Sequence, residues 1–170
     1  DGRLMAAEQA KPVGKDIGYV GTVKHVDTKI IYDLLDDDFL PIIYPIGIGE
    51  DGQSFNINGD YAAEAIAEAL KADKLAFLTD TSGVYEDIND EDSFVSELYT
   101  DEAKEMIEEG IITGGMIPKV QNCLKAIDGG VNRVHILDGR IPHCLLLEIF
   151  TDRGCGTAIM NPEETRYYNH

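Results

Sequence analysis

The chain has 170 residues, 44% of them hydrophobic and 27% charged, with 14 lysines and arginines against 32 aspartates and glutamates and a formal net charge of −18. A chain of this length buries roughly 70% of its unfolded surface, enough for a real core, but its acidic excess argues against nucleic acid or an anionic membrane as partner, because long-range attraction would have the wrong sign. A small anion is not excluded, since a few lysines, backbone amides and a bound cation reverse the field inside one cleft.

Residues 1–16 are polar and glycine-bearing, and 17–26 read as β-structure, with β-branched and aromatic residues in partial alternation. Asp27 or Thr28 is placed to cap a helix that runs to Leu35 and carries Ile30, Ile31, Leu34 and Leu35 on one face. Residues 39–48 form a nearly continuous apolar run interrupted by Pro41 and Pro45, the pattern of a buried strand leaving toward a loop. Glu50-Asp51-Gly52 then supplies a hairpin turn. Next come Asn56, Asn58 and Asp60, directly before an alanine-rich helix with Ala62, Ala65, Ile66, Ala69 and Leu70 on one stripe. One of these three polar side chains would suffice as a cap, so capping and ligand binding both remain open.

Residues 74–79 read as a short apolar strand ending in the small-polar segment Thr79, Asp80, Thr81, Ser82, Gly83, Val84, Tyr85. In an open α/β sheet, ligand loops follow the carboxyl ends of strands. The acidic stretch 86–92 lacks the ligand order of an EF-hand and is expected to be a solvated turn. Thr100 is placed to cap a helix through Glu109, with Ala103, Met106 and Ile107 inward and Gly110 as its stop.

The segment Gly114-Gly115-Met116-Ile117-Pro118-Lys119 outlines an anion site: two glycines free the backbone, a proline pre-sets a first helical turn, and a lysine follows. A helix N-terminus offers unpaired N–H groups and about half a positive charge. Taken alone, the segment also fits a loop that merely starts a helix, whose buried side would be Val120, Leu124 and Ile127. A strand at 133–137, Asp138-Gly139-Arg140, a helix carrying Leu145, Leu146 and Ile149, and a last short strand through Ile159 complete the pattern; 161–170 is expected to be a loose tail. Strands alternating with helices predict an α/β fold of three αβα layers around a largely parallel open sheet.

Cys123, Cys144 and Cys155 are odd in number and show no CxxC spacing, so a reduced, cytoplasmic compartment fits better than a disulfide framework or a zinc site. No apolar run approaches the ~20 residues of a membrane span, and no signal peptide is visible. The chain opens at Asp1 without a methionine, as expected of a fragment. The lone histidines His25 and His143 read as surface or helix-end residues.

Asp60 and Lys119 at helix starts, with the 79–83 loop after a strand, make a credible set for phosphoryl transfer, which needs alignment and positive charge more than covalent chemistry. No GxxxxGK[ST] loop, kinase-type HRD or DFG set, or G-x-S-x-G elbow is present. Phe55-Asn56-Ile57-Asn58-Gly59-Asp60, Leu78-Thr79-Asp80-Thr81-Ser82-Gly83-Val84 and Ile111-Ile112-Thr113-Gly114-Gly115-Met116-Ile117-Pro118-Lys119-Val120 resemble, in order and spacing, segments of the acetylglutamate kinases, a branch of the amino-acid kinase family. His135-Ile136-Leu137-Asp138-Gly139-Arg140 through Glu148 to Gly154-Cys155-Gly156-Thr157 does so too, and the match covers nearly all of residues 15–160.

That resemblance implies phosphorylation of the γ-carboxylate of N-acetyl-L-glutamate by ATP with Mg2+, a step of arginine biosynthesis. By position, Lys119 matches the lysine that stabilises the transferring phosphoryl group and Asp60 the aspartate that orients catalytic lysines. Asn56, with Asn58 beside it, matches the residue that binds the acylated amino acid. Thr79, Asp80, Thr81, Ser82, Gly83, Val84 and Tyr85, together with Ile111, Ile112, Thr113, Gly115 and Met116, match the segments that enclose the nucleotide. His135, Glu148 and Gly154 match positions of the regulatory arginine site, and the resemblance also implies a homo-oligomer, a dimer or a hexamer. Residues 1–53 then correspond to the end of the acetylglutamate lobe, 54–160 to the nucleotide lobe and 161–170 to the tail. Gly59 stands where alanine is common, which loosens the helix start by ~1 kcal/mol at most. The family's early lysine, glycine-rich loop and substrate-binding arginine have no counterpart in residues 1–170, so this polypeptide alone is expected to bind nucleotide weakly and turn over little.

Overall fold

The computed structural model describes residues 3–11, 17–151 and 154–164, so the expected tail falls largely outside the described residues. Contacts divide the chain into two units, 1–70 and 71–170. That division follows the second helix, whereas the sequence reading sets a boundary at 53/54.

The first unit contains β1 (Met5–Gln9), β2 (Gly21–Val26), α1 (Lys29–Asp36), β3 (Ile46–Ile48), β4 (Ser54–Asn56) and α2 (Gly59–Leu70). Its sheet runs β2-β1-β3-β4, with β1/β3 parallel and β1/β2 and β3/β4 antiparallel. β1 lies inside the stretch read from sequence as merely polar. It forms because Met5 and Ala7 point inward while Ala6 and Glu8 point to solvent, a period of two too short to stand out. Met5, Ala7, Val26, Phe55, Ile57 and Ala62 make the core of this unit. The hairpin at 49–53 forms as expected: Gly49 N donates to Gln53 O at 2.8 Å, and Asp51 Oδ1 accepts from Gln53 N at 3.0 Å.

Three expectations for this unit are corrected. Residues 39–48 are not a buried strand: only Ile46–Ile48 pair, while Leu40 is 86% and Ile42 80% exposed. Pro41 and Pro45 lack the N–H groups that a ladder through 41–45 would need, so the segment runs beside the sheet instead. In α1, Ile31 alone of the expected four is buried; Ile30 and Leu34 join Ile42, Tyr44 and Ile46 in an open apolar ledge, and Leu35 is exposed. Thr28 occupies its cap position without a side-chain bond, and Asp27 Oδ1 accepts from Lys29 N at 3.0 Å. In α2 the buried residues are Ala62, Glu64 and Ala67; of the expected stripe Ala62, Ala65 and Ile66 pack in the core of this unit, but Ala69 is exposed.

The second unit contains β5 (Lys74–Thr79), β6 (Val84–Tyr85), β7 (Phe94–Val95), β8 (Glu97–Tyr99), α3 (Thr100–Glu108), α4 (Met116–Asp128), β9 (Arg133–Asp138), α5 (Cys144–Phe150) and β10 (Gly156–Met160). Its sheet runs β5-β9-β10-β8, parallel at β5/β9 and β8/β10 and antiparallel at β9/β10; β6 and β7 form a separate ribbon. Every residue of β9 is buried, as a central strand covered on both faces requires. Val120, Cys123, Ala126 and Ile127 of α4 are buried with Val134, Ile136, Ile159 and Met160 of the sheet. Each large side chain so buried contributes roughly 1.5–3 kcal/mol. The buried Arg133 carries its charge inward 3.7 Å from the buried Glu97.

One helix start differs from expectation and another matches it. Tyr99 rather than Thr100 caps α3, its N–H donating to Glu102 Oε2 at 2.8 Å, because a glutamate three residues on reaches back to it. α4 begins at Met116, which puts Pro118 in its third position; the missing N–H still falls among the four that a helix start leaves without a partner.

Candidate functional site

β5 and β9 run parallel in a register that sets Thr79 beside Asp138, so both strands end at one edge of the sheet. Gly139 N donates to Thr79 O at 2.8 Å and ties the two exits together. The loops that leave these ends line a cleft of about 560 Å3.

One wall is the segment after β5: Asp80, Thr81, Ser82, Gly83, Val84 and Tyr85 all line the cleft. Thr79 itself is not in the lining; its Oγ1 bonds Asp80 Oδ1 at 3.3 Å and so holds the loop's first residue. Gly83 has φ +136°, and a Cβ there would come within 2.6 Å of Thr157 Oγ1, so only glycine fits. The buried Thr157 hydroxyl donates to Val95 O at 2.6 Å and accepts from Val84 N at 2.9 Å, pinning the loop to β10 and β7. Tyr85 meets Phe94 edge-to-face, with centroids 5.3 Å apart.

The other wall is the stretch from α3 into α4: Ile111, Ile112, Thr113, Gly115, Met116 and Lys119. Gly114 turns the chain at φ +56°, Met116 N donates to Thr113 O, and the first turn of α4 delivers Lys119 to the cleft. Every nucleotide-segment residue named from sequence except Thr79 therefore shares one cavity with Lys119.

Sequence reasoning missed Ile88, Glu91 and Arg140, which also line it. Arg140 sits directly after β9 and makes a fork on Asp138: Nε donates to Oδ1 at 2.8 Å and Nη2 to Oδ2 at 2.7 Å, while its backbone N donates to Oδ1 at 2.9 Å. The Arg140 side-chain bonds first, then its backbone N–H and a further bond from Ser82, pull the Asp138 carboxyl down to about 2. Asp138, and Asp80 at longer range, raise the Arg140 pKa in turn. The signal in the sequence was a charged pair spanning one glycine at a strand exit.

In the first unit, Asn58 accounts for the capping of α2: its Oδ1 accepts from Asp60 N at 2.9 Å and Tyr61 N at 3.3 Å. Asn56 is exposed on β4, and Asp60 occupies the first turn of α2. Asn58 also borders a second cleft, of about 730 Å3, with Gln9, Lys11, Thr22 and Tyr61.

His135 and Glu148 belong to a separate buried constellation, with the half-buried Gly154 in the turn beside it. His135 Nδ1 lies 2.7 Å from Glu148 Oε1, and Glu148 Oε2 accepts from Cys155 N at 2.8 Å and Gly156 N at 3.2 Å. Gly154 opens this turn at φ +59°. Burial pushes the Glu148 carboxyl up, but the His135 bond and the two amides outweigh it and hold the pKa below the usual glutamate range. Burial and the Glu148 charge raise the Cys155 thiol, which donates to Cys144 O at 3.2 Å. The three cysteines are unbridged. Among the described residues no cluster of three or more His, Cys, Asp or Glu is arranged to hold a metal ion, and no helix is long and apolar enough to cross a membrane.

Residues 2–138 match the model of the amino acid kinase family. The acetylglutamate kinase of Syntrophomonas wolfei is 50% identical over 161 residues, 95% of this chain and 56% of that protein. That of Caldicellulosiruptor bescii is 55% identical over 163 residues, 94% of this chain and 55% of that protein. The chain thus spans about half the length of the curated relatives it matches. Among solved structures, N-acetylglutamate synthase from Neisseria gonorrhoeae, complexed with coenzyme A and L-arginine, superposes with a TM-score of 0.83 at 30% identity, over 94% of this chain and 37% of that one.

Proposed function

This chain belongs to the amino acid kinase family, and from that premise we propose that it serves the ATP-dependent phosphorylation of the γ-carboxylate of N-acetyl-L-glutamate. The observation that carries the reading is the single cleft at the ends of β5 and β9, where the two nucleotide segments and Lys119 come together. Identity near one half to acetylglutamate kinases supports the choice of substrate within the family.

In this reading ATP lies between the 80–85 loop and the 111–116 stretch, with Mg2+ carried on its phosphates, as Mg2+ commonly is. Lys119 places its charge where the transferring phosphoryl group gathers negative charge. Asp60 orients lysine side chains, and Asn56 and Asn58 hold the acylated amino acid. Residues 1–53 serve the acetylglutamate lobe and the following residues to 160 the nucleotide lobe. The family's early lysine and glycine-rich loop have no counterpart in residues 1–170, so these residues alone bind nucleotide weakly and turn over little. The working enzyme is a cytoplasmic homo-oligomer.

His135, Glu148 and Gly154 are assigned to feedback control by arginine; the arginine complex of the similar synthase supports that assignment. The same likeness favours a second reading, a non-catalytic arginine-sensing lobe. Assays of a form that includes the family's early lysine and glycine-rich loop, with N-acetylglutamate, glutamate, carbamate and UMP as acceptors, test the first reading. Phosphorylation of N-acetylglutamate alone is the expected result. Calorimetry showing arginine binding without binding of an ATP analogue would favour the sensor.

A further inference from the structure

Lys119 and Arg140 are the cations among the residues that line the cleft, facing the carboxylates of Asp80 and Glu91. The chain as a whole carries a net charge of −18, so a nucleotide with several negative charges depends on the local field of this lining. Without Arg140 that lining would be net acidic.

The two cations are held differently. Lys119 carries its ammonium charge from the first turn of α4, whereas the planar Arg140 guanidinium is fixed by two side-chain bonds to Asp138, itself nearly buried with 7% of its side chain exposed. A guanidinium has five N–H donors in a fixed plane, and the Asp138 fork uses Nε and one donor of Nη2. The Nη1 donors and the second N–H of Nη2 lie in the same plane outside that fork, in a side chain that is 65% exposed at the cleft. Two features argue against a purely structural role. A salt bridge that only joined β9 to its exit would not need its cation in the cavity lining. Ser82 and the rest of the 80–85 segment line the same cleft, so the guanidinium shares its cavity with the nucleotide segment. A fixed planar fork suits phosphate oxygens, which accept paired parallel hydrogen bonds.

We propose that Arg140 contacts the phosphates of the bound nucleotide, with Asp138 as the residue that positions its guanidinium. The assignment rests on the nucleotide reading of this cleft and adds to it a contact that neither loop supplies.

Calorimetric titration of the full 170-residue chain with ATP and with adenosine, on the wild type, Arg140→Ala and Arg140→Lys, tests it. Hydrogen bonds to charged groups are worth enough that Arg140→Ala should weaken ATP roughly 10- to 100-fold, with adenosine affinity unchanged. Arg140→Lys keeps the charge without the fork and should recover only part of the loss. Should Arg140→Ala fail to give a cooperative thermal transition, the lysine variant carries the comparison alone, with ATP weakened and adenosine not. Wild-type ATP affinity in a folded variant, or equal losses for ATP and adenosine, overturns the phosphate contact while leaving the cleft a nucleotide site. A wild-type chain that binds neither ligand overturns the nucleotide reading and the assignment with it.

Discussion

His135 Nδ1 and Glu148 Oε1 are 2.7 Å apart, both side chains are nearly buried, and the second oxygen of Glu148 is taken up by two backbone amides of the turn before β10. One carboxylate thus joins a central strand, a helix and a turn.

Replacing Glu148 with alanine leaves the Cys155 and Gly156 N–H groups and the His135 ring without their acceptor. Buried groups stripped of partners cost roughly 1–3 kcal/mol each, partly relieved by entering water, so a loss of about 2–4 kcal/mol is expected in urea unfolding. A change below about 0.5 kcal/mol, typical of ordinary surface positions, would show that the network carries no stability.

The same pair gives a pH dependence of definite sign. The folded Glu148 pKa lies below its ordinary 4.5, so its contribution is fully present above that value and is lost as pH falls through the lower folded value. Asp138 behaves alike, with an ordinary value of 3.8 and a folded value of about 2. Urea midpoints should therefore fall steadily from pH 5 toward pH 2 as an expected window, and Asp138→Asn should flatten part of that slope. An unchanged slope in the variant would contradict the assignment.

Gly83→Ala forces a side chain into φ +136° and into contact with Thr157 Oγ1. The strain should cost about 1–3 kcal/mol and displace the loop that lines the cleft. Thermal melts and ATP titration read the two effects separately, and a variant indistinguishable from wild type in both would sink the argument that this glycine is required.

For Lys119→Ala in a catalytically complete form, kcat should fall about 100-fold or more while the KM for ATP changes little, because the charge is needed most in the transition state. Parallel losses in kcat and ATP affinity would demote Lys119 to a ground-state contact.

The cleft was legible because its chemistry is local: a small-polar loop after an apolar strand and a Gly-Gly turn before a helix each announce themselves within ten residues or so, as strand-exit loops do. β9 and α4 stood out for the same reason, through Val134, Ile136 and Leu137 in one and the helically spaced Val120, Leu124 and Ile127 in the other. What could not be read depended on partners distant in sequence. Arg140 acquires meaning from a register that sets Asp138 beside Thr79, and Gly83 is required by a hydroxyl at position 157. The run at 39–48 misled because its hydrophobicity suggested burial, while two prolines denied it the ladder that burial in a sheet requires.

The apolar ledge of the first unit, where Ile42 is 80% and Tyr44 75% exposed, bears on how this polypeptide behaves in a tube. Large exposed apolar patches bind one another unless charge keeps molecules apart, and at neutral pH the formal net charge of −18 does so. Acidification and concentrated salt both weaken that repulsion. Samples should stay dispersed in dilute neutral buffer, then bind hydrophobic dyes more strongly and precipitate as the acidic isoelectric region is approached, well before the fold itself gives way.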